Sequence, residues 1–133
     1  MHRYHPLRAA ALVVLAALTL VACDAGEPDV GPLSGQWQHV YGTGVMYRYE
    51  LTDTRGQIAG TVSFYLLGSA AGTAPVNGTR SGTRVELDHR THSADVTAHY
   101  VLTFESENQL MVGAGIYSDG TNDGDVLITR PLM

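Results

Sequence analysis

The chain has 133 residues, with 8 basic and 13 acidic side chains and a formal charge of −5. Every base is an arginine, which excludes lysine Schiff-base and P-loop chemistry. The acidic balance argues against a nucleic-acid partner, which needs a basic patch or stripe. The single cysteine excludes an intramolecular disulfide and a multi-cysteine metal cage.

Residues 1–8 carry Arg3 and Arg8 and no acid. Ala9 to Ala22 is then an almost unbroken apolar run, shorter than the ~20 residues a spanning helix needs. A basic start, a short apolar middle and small residues at the end describe a secretory leader over residues 1–22. The run closes Leu20-Val21-Ala22-Cys23. This resembles the lipobox of bacterial lipoproteins. The resemblance implies cleavage before Cys23, lipidation of Cys23 and attachment to the cell membrane or outer membrane, with the rest of the chain outside the cytoplasm. Without the leader, 6 arginines face 13 acids, so charge attraction to anionic lipid is disfavoured and acyl chains must make the membrane link.

Asp24 to Leu33 reads DAGEPDVGPL, with two prolines, two glycines, three acids and no apolar periodicity. Together with Cys23 it is expected to form a flexible tether over residues 23–33. Fully extended, such a stretch reaches ~33–36 Å.

Residues 34–133 read as one domain of strands, by period-two alternation and turn punctuation. Gly35 to Tyr41 puts Trp37, His39 and Tyr41 on one face. Gly42 to Gly44 turns the chain, and Val45 to Thr52 aligns Val45, Tyr47, Tyr49 and Leu51. After the Asp53–Gly56 turn, Gln57 to Leu67 aligns Ile58, Gly60, Val62, Phe64 and Leu66. Gly68 to Ala74 reads as a small-residue loop, and Pro75 to Thr79 as a short strand. Arg84 to His89 sets Val85 and Leu87 inward, and Arg90 to Ser93 is a polar connection. Ala94 to Phe104 aligns Val96, Ala98, Tyr100, Leu102 and Phe104. Gln109 to Tyr117 is read with Leu110, Val112, Ala114 and Ile116 inward. Ser118 to Gly124 reads as a loop, and Asp125 to Arg130 as the last strand.

Eight strands with short links predict an all-β, antiparallel up-and-down meander that closes into a barrel, with a two-layer sandwich as the rival. Gly35-Gln36-Trp37 in the first strand and Arg130 at the end of the last resemble the calycin pattern of lipocalins and avidins. The resemblance implies that Arg130 packs over Trp37 and closes one end of the barrel. It does not extend to the several tryptophans of the avidin biotin site, since Trp37 is the only one here, and no ligand residue is carried over.

The inward faces collect Trp37, His39, Tyr41, Tyr47, Tyr49 and Tyr100 as a candidate ligand cavity. Rings with polar tips in an apolar cup can orient a small amphipathic ligand. Against this, an eight-stranded barrel is just wide enough for side chains to fill it. Val62, Leu66, Leu102, Val112 and Ile116 are expected in the core either way. Outward Tyr65, Leu67, Met111 and Tyr117 suggest a second possibility, a surface for an envelope protein.

His89-x-x-His92 with His99, and the Asp119–Asp125 run, invite metal readings. The histidines read better as surface residues of a polar connection. The acidic run lacks the Glu a calcium loop needs at its twelfth position, where Arg130 stands. No metal and no cofactor is expected. Neither a Gly-x-Ser-x-Gly elbow nor a His-Glu-x-x-His motif is present, so no catalytic residue is assigned and the chain is not read as an enzyme.

Overall fold

The computed structural model describes residues 30–131. The leader over 1–22, Cys23 and the tether up to residue 29 lie outside the described residues. The rest forms eight antiparallel strands: β1 (Gly35–Val40), β2 (Val45–Thr54), β3 (Gln57–Leu66), β4 (Ser69–Ser81), β5 (Arg84–Arg90), β6 (Thr97–Glu105), β7 (Leu110–Tyr117) and β8 (Asn122–Thr129). Each pairs with its sequence neighbour, and β1 pairs with β8, so the meander closes into a barrel. The seam is short: it registers Gln38 with Thr129 and His39 with Ile128.

Closure follows from patterning. Along β2, Tyr47, Tyr49, Leu51 and Asp53 are buried while Arg48, Glu50 and Thr52 are exposed. Polar side chains face out and apolar ones in, the reverse of a barrel whose wall contacts lipid. Closing the sheet removes the edges that an open meander would leave.

Four local expectations are corrected. Ser69–Ala74, read as loop, is the first half of β4 and pairs with β3 from Leu66 back to Val62. Its small residues have little strand preference of their own, and the ladder with β3 imposes the extended form. A register irregularity between Phe64 and Tyr65 accommodates this half, and beyond it Leu66 faces solvent instead of the core. Asn122–Gly124, read as loop, belongs to β8 and pairs with Ile116 and Gly115. The sixth strand starts at Thr97, three residues later than expected.

The largest correction is the face of β7. Met111 and Tyr117 are buried, whereas Ile116 is 56 % exposed and Val112 is half-buried. Ile116 and Val112 therefore do not build the core, and Met111 and Tyr117 do not form a surface. Gly113 and Gly115 hold the inward positions between Met111 and Tyr117. A Cβ on Gly115 would stand 2.7 Å from the Tyr100 ring and 3.1 Å from the Tyr117 hydroxyl. The inward face of β7 gives up side-chain volume so that rings from neighbouring positions can fill it, which inverts the hydrophobic pattern.

Packing begins before the expected domain boundary. Leu33 is fully buried and belongs to the core cluster. The Gly31 N–H donates to the Asp53 carbonyl at 2.7 Å. A Cβ on Gly31 would collide with the Asp53 carboxylate, so glycine is required for this approach.

Candidate functional site

The strands place two different ends on the barrel. At the closed end, the chain entering through residues 31–34 crosses the opening, where β2, β4, β6 and β8 finish. The Trp37 Nε1–H donates to the Leu33 carbonyl at 2.8 Å. The Arg130 guanidinium lies 3.8 Å over the Trp37 ring. It donates to the carbonyls of Pro32 (3.1 Å), Ser34 (3.3 Å) and Gln36 (3.1 Å). A cation over indole is worth about 1–2 kcal/mol when shielded from water. Trp37, grouped by sequence with the cavity residues, thus sits at the end opposite the tyrosines and is covered.

Beside it, the buried Asp53 carboxylate accepts from the N–H groups of Leu33 (3.3 Å) and Gly56 (2.9 Å) and from Arg80 Nε (2.7 Å). Burial alone would push this carboxyl up, but Arg80 and the two amides outweigh it and hold the group below its ordinary range. The closed end is a set of buried polar groups with partners.

At the opposite end, termed the open end, tyrosine and histidine side chains fill the interior and are buried except for Tyr41 and His92. Tyr49 OH donates to His89 Nε2 at 2.8 Å. His89 Nδ1 lies 2.7 Å from the Arg90 carbonyl, which can only accept, so a proton sits on Nδ1, and burial holds the imidazole below its ordinary pKa. The Tyr47 oxygen accepts from the His92 backbone N–H at 3.2 Å and shares a hydrogen bond with His92 Nδ1 at 2.6 Å. His89 is buried and His92 half-buried, which corrects the surface reading of both. They are separate partners of two tyrosines, not a pair facing one ion.

Four more rings complete this end. His39, Tyr41, Tyr117 and Tyr100 form a closed circuit, with centroids 5.6, 5.9, 6.2 and 5.8 Å apart in turn around it. Each ring is nearly perpendicular to the next, at 89°, 80°, 87° and 84°. His39, Tyr100 and Tyr117 are buried, and Tyr41 is the outermost, half-exposed ring in the turn after β1. It also stacks on Tyr47 at 5.4 Å and 5°.

Among the described residues, three buried polar atoms here have no partner in hydrogen-bond geometry: His39 Nδ1, Tyr100 OH and Tyr117 OH. All three belong to the circuit. The Tyr100 hydroxyl lies close enough to those of Tyr117 and Tyr49, and the Tyr117 hydroxyl to that of Tyr41, for weak hydrogen bonding to affect their ionisation, but none of these contacts meets full hydrogen-bond geometry. Burial raises the ionisation of Tyr49, Tyr100 and Tyr117 well above the ordinary phenol range. Burial also pulls His39 down to about 4, against a small opposing pull from Asp123 and with a further push from His89. His39, Tyr49, Tyr100 and Tyr117 are therefore neutral at neutral pH.

The structure thus brings His39, Tyr41, Tyr47, Tyr49 and Tyr100 together and leaves Trp37 and Arg130 at the other end. Sequence reasoning missed His89 and Tyr117. His89 continues the inward alternation of Val85 and Leu87, a signal that was there to read. Tyr117 was hidden by the face chosen for β7.

The other motifs resolve simply. Asp119 Oδ1 accepts from the Thr121 N–H (2.9 Å) and hydroxyl (2.6 Å), and Asp123 Oδ1 from the Asp125 N–H (2.9 Å). His99 lies on the outer wall, with Nδ1 2.7 Å from Asp88 and Nε2 3.4 Å from Glu86. Among the described residues no group of three or more His, Cys, Asp or Glu side chains is placed to hold a metal ion. A groove of about 550 Å³ crosses the outer wall between Asn77, Asp88, His99 and Ile116, and His89 and Tyr117 also border it.

Comparison with known proteins found no matching family model, no similar curated protein and no similar solved structure.

Proposed function

We propose that the chain is a membrane-tethered lipoprotein whose calycin-like barrel binds a small ligand at its open end. The observation that carries the reading is the trio of buried polar atoms without partners in one ring circuit. A buried hydroxyl or imidazole nitrogen left unpaired costs about 1–3 kcal/mol. Three in one place are hard to account for as packing and are natural in a site completed by an additional polar group. The lipobox-like Leu20–Cys23 segment supports the tether. Because the chain enters at the closed end, an anchor at Cys23 would hold that end toward the bilayer and turn the mouth away from it.

Two experiments test the two halves. Metabolic palmitate labelling should mark the parent chain and not a Cys23→Ser variant; equal labelling removes the anchor. Native mass spectrometry of the chain recovered from its membrane in mild detergent should show a small-molecule adduct, lost on unfolding. A bare mass removes the ligand.

A second reading has its own observation. Val40 (65 % exposed) and Leu67 (86 % exposed) stand on the turns of the open end, with Leu66 and Tyr65 beside them. This rim fits contact with another envelope protein better than the surface first expected, which relied on the buried Met111 and Tyr117.

A further inference from the structure

Resting on the ligand-binding reading, the structure points to a class of ligand: a neutral, planar aromatic carrying a hydroxyl, with the size and polarity of a phenol. The chain itself holds such a group in place. The Tyr41 ring is the outer member of the circuit, stacked on Tyr47 with an interplanar angle of 5° and edge-on to His39 and Tyr117. It lies just past the end of β1 and is followed by Gly42 and Gly44, both at positive φ (68° and 81°). A Cβ on Gly42 would meet nothing within 4 Å, so the turn that carries Tyr41 has open space beside it.

If Tyr41 swings outward, it vacates a slot with a flat floor, the Tyr47 face, and a wall of phenol and imidazole edges. A ligand ring of the same shape restores those contacts. Its hydroxyl would reach Tyr117 OH, Tyr100 OH or His39 Nδ1. Each can donate or accept according to rotor or tautomer, which suits a group that does both.

Charge narrows the class further. The arginine that reaches this end, Arg90, donates to the carbonyls of Thr91 and Thr73, each at 3.0 Å, and stands 5.1 Å over Phe64. It is not a member of the circuit. His39 feels the carboxylate of Asp123 and the His89 ring from outside the circuit, and Arg90 acts on Tyr47 only from a distance. A carboxylate or phosphate ligand would enter beside the Asp123 charge, with no cation in the circuit itself to receive it.

The test uses the full chain and three small probes of similar shape: p-cresol, 4-methylbenzoate and toluene. Binding is followed by calorimetry and by shifts of the His39 and Tyr41 ring signals in NMR spectra. The expected result is p-cresol binding at least fivefold more tightly than either other probe. Tyr41→Ala should tighten p-cresol several-fold, because the slot no longer has to be vacated. Should that variant fail to fold, the parent titration decides alone. A preference of less than fivefold over 4-methylbenzoate or toluene overturns the ligand class while leaving a binding site. Failure of all three probes to bind the parent chain overturns the binding reading and this inference with it, even if Tyr41→Ala binds them.

Discussion

The two ends of this barrel are built from similar materials and finished differently. At the closed end, Asp53, Arg130 and Trp37 each have named partners, and the segment around Leu33 shields them. At the open end, Tyr47 and Tyr49 are paired with His92 and His89, but His39, Tyr100 and Tyr117 are buried without completing their hydrogen bonds. The difference teaches where stability was favoured and where it was given up. Polar groups that stabilise a fold are satisfied within it; those left open in a cluster are the observation on which the proposed ligand site rests.

The largest effect should come from breaking the closed end. Asp53→Ala removes the acceptor of Arg80 and of two buried amides. It should cost about 3–5 kcal/mol in urea unfolding, as loss of one member of a buried charge pair does.

Acid should separate the two ends. The folded chain resists protonation of His39 down to about 4, whereas the unfolded chain takes up that proton near 6.5. Stability therefore falls as pH drops from about 6.5 to about 4, by roughly 3 kcal/mol from this group. The Asp53 carboxyl is held low in the folded state, so its contribution is present above the ordinary carboxylate range and is lost only as pH falls below it. Burial also holds His89 low, so it adds to the same limb. Thermal melts across pH should show the loss as pH falls below about 6.5, and His39→Phe should reduce that limb while leaving the His89 part and the more acidic one.

Gly115→Ala probes the crowding at the open end. The new methyl meets the Tyr100 ring at 2.7 Å and should cost about 1–3 kcal/mol, the usual price of overpacking. Near-ultraviolet circular dichroism should report altered tyrosine packing. The smallest loss is expected for Tyr49→Phe, about 1 kcal/mol, because it removes the donor to His89 Nε2.

Much of the fold was legible in the sequence. The meander, the barrel and the inward faces of β1, β2, β5 and β6 follow from alternation, because there most of the large apolar and aromatic residues fall on one face. The pattern failed where small residues did the structural work. Ser69–Ala74 looks like a loop because its residues are small, and it is a strand because β3 gives it a partner. Along β7, Leu110, Val112, Ala114 and Ile116 are the more apolar set, yet Gly115 faces inward to make room for Tyr100 and Tyr117, and Gly113 because a side chain there would run into the β6 backbone at Val101. No single-strand pattern contains that information, since the reason lies on β6. The candidate site was legible as a collection of aromatic residues. Its division into a finished end and an unfinished one was not, because it depends on which polar atoms find partners across the barrel.

The central claim is that the polar tips of Tyr100 and Tyr117 are kept for something other than stability. The most direct measurement is the unfolding free energy of Tyr100→Phe and Tyr117→Phe beside the parent chain in the absence of added ligand. Each variant should match or exceed the parent, since deleting an unpaired buried hydroxyl removes a cost and breaks no bond. A loss of more than about 1 kcal/mol in either would mean that the hydroxyl is bonded within the fold, and the open end would then be packed core like the rest.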